Sequence, residues 1–544
     1  MLLRIPHKTM TNGPAADART FVIVFRANRH IPRLFFSIGP IFFNRAVFRI
    51  ARIRTIQYNN NRRQATGARL RNSKMRLIRN ERLFFVNAEN VMPRSGRTQP
   101  GREYYRTDMD RNSDCYQKYV SVLKEELLPA MGCTEPIAVA YVAAKARELL
   151  GKIPEKVLLQ ASGNIIKNVK SVVVPNTDEL KGLEAAAAAG IIAGDSAKRL
   201  EVISDVTPEE KREIAEYLAR KMITTEFLDS GIVFDLIVTE TAGDDSVRVR
   251  IVNEHTNIVL IEKNGEILME KPIACGYTES QDAGKMCVDE ILDFARSCEI
   301  GDVRDVIARQ IEYNTAIAEE GLKGEWGANI GKVLLRENEN DVRVRAKAKA
   351  AAGSDARMSG CELPVVINSG SGNQGITISV PIIEHAKTLN SSEEELYRAL
   401  ILANLLGLHQ KAGLGRLSAY CGAVSAACAS GAGIAYLMGE SDEFIKNEVI
   451  NCLAITSGIV CDGAKPSCAA KIAISIDGAY LAIDMTRNRQ RFAGGDGIVK
   501  DGIENTISSV SKLGRDGMRE TDKEILKIMI GADPETKEPL AENR

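Results

Sequence analysis

Histidine is scarce in this sequence: five in 544 residues, of which only His255, His385 and His409 lie beyond residue 108. There is no H-E-x-x-H and no G-x-S-x-G, so a histidine-built zinc site or a Ser–His–acid triad is poorly supplied. The longest apolar stretch near the start, 34–43, contains Pro40 and is too short to span a bilayer. No charged-then-apolar signal opens the chain. Eleven cysteines in so long a chain exclude a small disulfide scaffold. Without a secretory signal they are expected as thiols in a reducing, cytoplasmic setting, most of them as small buried apolar residues.

Acidic residues are nearly missing from one part only. Residues 1–108 carry 22 Lys+Arg, 20 of them Arg, against 5 Asp+Glu, whereas the remainder carries 50 against 66. A basic arm precedes an acidic protein. Such an arm suits an organellar transit peptide, a nucleic-acid-binding segment, or a disordered or non-native extension with Met109 as the native start. The extension is the expectation, with neither nucleic acid nor membrane as a partner.

The pattern along the rest predicts a helix over 116–131, a break at Gly132-Cys133-Thr134-Glu135-Pro136, and a second helix over 138–150 capped by Thr134. Strand-like segments follow at 156–160, 169–174, 232–239, 246–252, 256–263 and 265–269, with helices at 180–193 and 208–221 between them. Asn264-Gly265 is a hairpin signal. From 279 to 485 the pattern is mostly helical. The uncharged run 417–439 is long enough to cross a membrane, but its small residues argue for a helix packed closely inside a soluble core. The expected fold class is α+β. A mainly helical catalytic domain (109–154 and 276–493) is interrupted by an inserted α/β domain (155–275), preceded by the basic arm (1–108) and followed by a helical tail (494–544).

Gly370-Ser371-Gly372-Asn373-Gln374-Gly375 matches G-x-G-x-x-G after the strand-like 363–367. A dinucleotide site also needs a helix opening inside the motif and an acid about 20 residues on, at a strand end. The acids at 393–395 instead follow a helix start, Asn390-Ser391-Ser392. Nicotinamide chemistry is therefore set aside.

What remains is sulfur. Cys461-Asp-Gly-Ala-Lys-Pro-Ser-Cys468 forms a loop between two helices, and Cys421 opens the small-residue helix 422–437. Helix N-termini carry partial positive charge that favours thiolates and anionic clusters. The spacing C-x6-C is neither a zinc-ribbon nor a ferredoxin pattern, so spacing alone leaves a cluster and ordinary packed thiols both open. Cys428, one face-repeat after Cys421, reads as core. Cys133 stands at the break between two helices, where a thiol is expected to acidify. Cys361, just before the glycine loop, is read as structural.

Taken together, Gly132-Cys-Thr-Glu-Pro136, Ser162-Gly-Asn164, Ser369-Gly-Ser-Gly-Asn-Gln-Gly375, Ala419-Tyr-Cys-Gly-Ala423 and Val460-Cys-Asp-Gly-Ala-Lys-Pro-Ser-Cys468 resemble the L-cysteine desulfidase family, which is related to the α subunit of iron–sulfur L-serine dehydratase. The resemblance covers residues 110–485. It implies an oxygen-labile [4Fe–4S] cluster, one per subunit, held by Cys421, Cys461 and Cys468, with Cys133 as proton acceptor. It implies conversion of L-cysteine to pyruvate, ammonia and hydrogen sulfide by α,β-elimination without pyridoxal phosphate. Thr134, Ser369, Ser371, Gly372, Asn373 and Gln374 offer short donors suited to a substrate carboxylate. No Cys follows Cys468, whereas dehydratase α chains resembling this one end in a Cys that occupies the fourth iron. An open iron is what a thiol substrate needs. The nearest alternative is L-serine dehydration, and a non-enzymatic thiol-rich sensor is a rival from another class. The expected partner is a small amino acid, with a homodimer left open.

Overall fold

In the computed structural model the described residues are 109–273 and 286–531, together with the two-residue strands Ala18–Arg19 and Ile41–Phe42, which pair antiparallel. Expectations for the rest of the arm, for 274–285 with Cys275, and for 532–544 lie outside the described residues. The chain divides into the units Met1–Thr98 and Gln99–Arg544. All that follows concerns the second.

Asp114–Glu126 is a helix whose Ser113 cap accepts from the Tyr116 N–H, and it buries Tyr116, Tyr119, Val120 and Leu123. The expected extension to 131 fails: Pro129–Met131 is a strand, antiparallel to Pro364–Val366. Proline has no N–H for a helical bond, and the residue before it is pushed toward extended backbone. The next helix is Thr134–Leu150, with Cys133 rather than Thr134 at the cap position. Pro136 falls in the first turn, as expected.

A six-stranded sheet follows, in the order Ile223–Phe227, Lys156–Ala161, Asp235–Ala242, Asp245–Val252, Ile258–Lys263, Glu266–Glu270. The first pair is parallel and the rest antiparallel. Asn264 and Gly265 both take left-handed backbone in the turn between the last two strands, as a tight hairpin requires. The strand Ile223–Phe227 was not foreseen. The expected strand at 169–174 is not formed: Gly163–Val169 is helical, and Val172–Val174 are buried in the core with only an isolated bridge, Val173 to Lys181. A β-branched run reports burial as readily as a ladder.

Helix Thr134–Leu150 packs against the sheet and against Leu183–Ala193, where a Cβ on Gly190 would come within 2.1 Å of the Ala140 carbonyl. The helical part comprises Val288–Ser297, Arg304–Lys323, Val342–Met358, Gly372–Leu389, Glu393–Ala412, Gly422–Leu437, Asp442–Thr456 and Ser467–Arg487, with shorter pieces between. Gly422–Leu437 is buried along almost its whole length. A Cβ on Gly431 would stand 2.1 Å from Glu448 Oε1, and one on Gly433 would stand 2.4 Å from Ile382 Cδ1, so its small residues serve close helix packing. Among the described residues no helix is long and apolar enough to cross a membrane. The fold is α+β, as expected. Helix Arg519–Ile530 docks on Gly163–Val169, where Lys167 ion-pairs with Asp522.

Candidate active site

The three cysteines read as ligands are placed by backbone. Tyr420 and Val460 form an antiparallel bridge. On either side of it the Cys421 N–H donates to Ile459 O at 3.1 Å and the Cys461 N–H donates to Ala419 O at 2.7 Å. The chain turns at Gly463, whose φ is +89° and where a Cβ would lie 2.3 Å from Lys167 O. Only glycine meets both demands. That turn leads to Cys468, whose thiol donates to Gly463 O at 3.6 Å.

The trio act on one another. Burial pushes the Cys421 thiol up to about 12, helped by the charge of Cys461, and pushes Cys468 up to about 11 for the same two reasons. The acidification expected from helix N-termini loses to burial and mutual repulsion. Three lysines border the trio. Lys411, buried at 2 % exposure, is lowered to about 8 by burial and opposed by Cys461 and Cys421. Lys471 ion-pairs with Asp462 and donates to Val460 O at 2.9 Å, and Lys167 donates to Cys461 O at 3.5 Å. Among the described residues no group of three or more His, Cys, Asp or Glu converges as a single metal ion demands. A sulfur donor set with cations around it fits an anionic cluster. Cys428 and Cys452 are different: both are fully buried, and the two thiols interact with each other.

Cys133 lies in a small buried group with Val172 and Met358, against which Cys468 also packs. Its thiol donates to Glu135 Oε2 at 3.0 Å. Asn168 Nδ2 donates to Glu135 Oε1 at 3.1 Å, and His255 Nε2 stands 3.8 Å from the same oxygen, beyond hydrogen-bond length. Burial would raise the Glu135 carboxyl, but His255 and the Cys133 S–H hold it down at about 2. The Cys133 thiol is pushed well up, by burial first and then by Glu135, with Arg357 opposing. The expected acidic thiol is thus a buried S–H on a carboxylate.

The glycine loop joins these parts. Asn368 and Ser371 bridge across a turn in which Ser369 (φ 48°) and Gly370 (φ 74°) are left-handed. The Thr134 hydroxyl lies 2.8 Å from Gly370 O, so it fixes the loop. A Cβ on Gly370 would be 2.9 Å from His255 Cε1, one on Gly372 would be 2.4 Å from Arg357 Nε, and one on Gly422 would be 2.6 Å from Gln374 Cδ. The loop therefore runs from Cys133 and His255, past Arg357, to the helix that Cys421 opens. A helix opens inside the motif, at Gly372, with Ser371 in the cap position and no side-chain cap bond. The preceding strand, Pro364–Val366, pairs only antiparallel with Pro129–Met131, so the parallel unit of a dinucleotide fold is absent there. Cys361 is buried as part of the main core.

Several buried polar atoms here lack a hydrogen-bond partner: Arg357 Nε, His255 Nε2, Asn168 Oδ1 and Asn373 Oδ1. Each such atom costs about 1–3 kcal/mol, so their gathering at one loop marks a place built for a polar ligand. Sequence reading missed Glu135, His255, Arg357, Asn168 and the lysines. Arg357 carried a signal: with Asp355, it is a charge in the otherwise small-residue stretch 350–357 of helix Val342–Met358, and a charge on a buried face is a functional flag.

A buried group of ionisable side chains gathered at a glycine loop and bordered by a cysteine trio, on an α+β frame, is the candidate active site. The model of the serine dehydratase alpha chain family matches residues 197–527. The chain is 57% identical over 423 residues to a UPF0597 protein of Desulfitobacterium hafniense, covering 78% of this chain and 98% of that protein. It is 52% identical over 415 residues to one of Lachnoclostridium phytofermentans (76% and 100%) and 46% identical over 429 residues to one of Treponema denticola (78% and 100%). The chain belongs to the serine dehydratase alpha chain family and is similar to UPF0597 proteins; it is a serine-dehydratase-like lyase.

Proposed function

We propose that the protein cleaves L-cysteine by α,β-elimination to pyruvate, ammonia and hydrogen sulfide, in the cytoplasm and without pyridoxal phosphate. The observation that carries this reading is the meeting of Cys133, bonded to Glu135, with Cys468 in one buried group. A [4Fe–4S] cluster on Cys421, Cys461 and Cys468 would supply a Lewis-acidic iron for the departing sulfide. The protein's own groups account for the proton. Cys133, as thiolate, removes the α-proton; it gives up its own proton to solvent beforehand, because Glu135, which accepts its S–H at 3.0 Å, is held at about 2 and stays a carboxylate. Burial beside a carboxylate makes that thiolate a strong base once formed. The loop Ser369–Gln374 receives the carboxylate, held in shape by Thr134. Loss of sulfide leaves 2-aminoacrylate, which tautomerises to the imine and is hydrolysed by water to pyruvate and ammonia.

L-Serine is the second reading, favoured by the description of the matching family. Anaerobically prepared protein given each amino acid separates the two. Pyruvate and sulfide in equal amounts from cysteine, at a kcat/KM at least about tenfold above serine, is the expected result. Pyruvate from serine alone would transfer the assignment to dehydration.

A further inference from the structure

The geometry points to Arg357 as the anchor for the substrate's α-carboxylate, completing a cradle with the backbone N–H groups that open the helix Gly372–Leu389. This rests on the lyase reading above and names a group to which that reading gave no role. Arg357 is only 2 % exposed, and its Nε has no hydrogen-bond partner. A guanidinium remains charged in a protein interior, and a buried charge left without a partner is costly. Among the described residues no carboxylate lies within ion-pair distance of it; the groups that feel its charge are Cys133, Glu135 and Cys468. These are the base, the base's partner and a member of the cysteine trio. Its Nε and Cζ lie 2.4 and 2.8 Å from where a Gly372 Cβ would be, so the guanidinium sits against the helix opening because residue 372 has no side chain. Among the N–H groups there, that of Gly375 bonds Ser371 O, while Gly372, Asn373 and Gln374 precede the first intrahelical partners and leave theirs for an anion. A planar fork beside aligned N–H groups is the geometry that takes a carboxylate.

The test uses anaerobically purified full-length protein and two thiols that differ in one group: L-cysteine and 2-mercaptoethylamine, which lacks the carboxylate. Arg357→Gln should raise the KM for L-cysteine by about a hundredfold and leave the inhibition constant of 2-mercaptoethylamine within about twofold, with iron content and visible spectrum unchanged. Arg357→Lys should recover part of the loss. Should Arg357→Gln fail to fold, Gly372→Ala keeps the charge while its Cβ displaces the guanidinium, and the same selective loss is expected. Equal weakening toward both thiols, or an unchanged KM, would overturn the assignment and leave Arg357 a packing residue. If the wild-type protein turns over neither cysteine nor serine, binding of 3-mercaptopropionate, followed by calorimetry, still decides. Binding abolished in Arg357→Gln upholds the anchor while the lyase substrate reading falls, and equal binding by wild type and variant rejects the anchor.

Discussion

Two sets of sulfur stand within one helical layer and have opposite characters. Cys428 and Cys452 face each other from the neighbouring helices Gly422–Leu437 and Asp442–Thr456, wholly buried, and burial together with the Cys428 thiol pushes Cys452 well up. Cys421, Cys461 and Cys468 sit where helices begin or loops turn, tied by the Tyr420–Val460 bridge and bordered by Lys167, Lys411 and Lys471. Burial does not separate the sets, since Cys421 is itself buried. Cations and backbone constraint do. Thiols with no compensating charge behave as small apolar groups, whereas a trio with three lysines at its border is prepared for the negative charge that thiolates and a cluster bring.

The comparison breaks most visibly at Cys461. On the proposed ligand set Cys461→Ser removes one of three ligands, and iron, inorganic sulfide and visible absorbance should all fall to background with activity. A variant that keeps stoichiometric iron would remove Cys461 from the ligand set.

Cys133 tests the other side of the site. Cys133→Ser should keep iron and spectrum and lose about 10²–10⁴-fold in kcat, the range for removal of a general base, because a serine hydroxyl is far harder to deprotonate beside Glu135. Near-normal turnover would shift the base to another group, with Glu135 and His255 the nearest candidates.

How far these differences could be read from sequence follows from their physical range. The loop cysteines were legible because Gly463 and the helix starts around them are local chain features. The sheet was legible in its hairpins, where Asn264-Gly265 dictates the turn. It was illegible at Ile223–Phe227, whose alternating exposed Thr and Glu carry little apolar signal. Cys133 stands out in the sequence, but its expected acidity is reversed: a helix N-terminus acts over one turn, and total burial beside Glu135 outweighs it. Arg357 and His255 reach the glycine loop from a helix and a sheet turn distant in sequence, so no local pattern could announce their meeting. Only the charge in a small-residue helix gave notice.

The smallest effect belongs to the core pair, and it sharpens the comparison from the opposite direction. Cys428→Ala deletes one sulfur from a fully buried position, which should cost about 1–2 kcal/mol by leaving a small cavity. Denaturant unfolding reads that loss, while iron content, spectrum and kcat should stay at wild-type values. Cys428 lies two helical turns beyond Cys421 on the same helix, so it is the sulfur best placed to serve if the trio had been chosen wrongly. Iron loss in Cys428→Ala, with Cys421→Ala retaining its cluster, would exchange their roles. It would also show that nearness to a helix start and to Lys411 is not what selects a ligand in this fold.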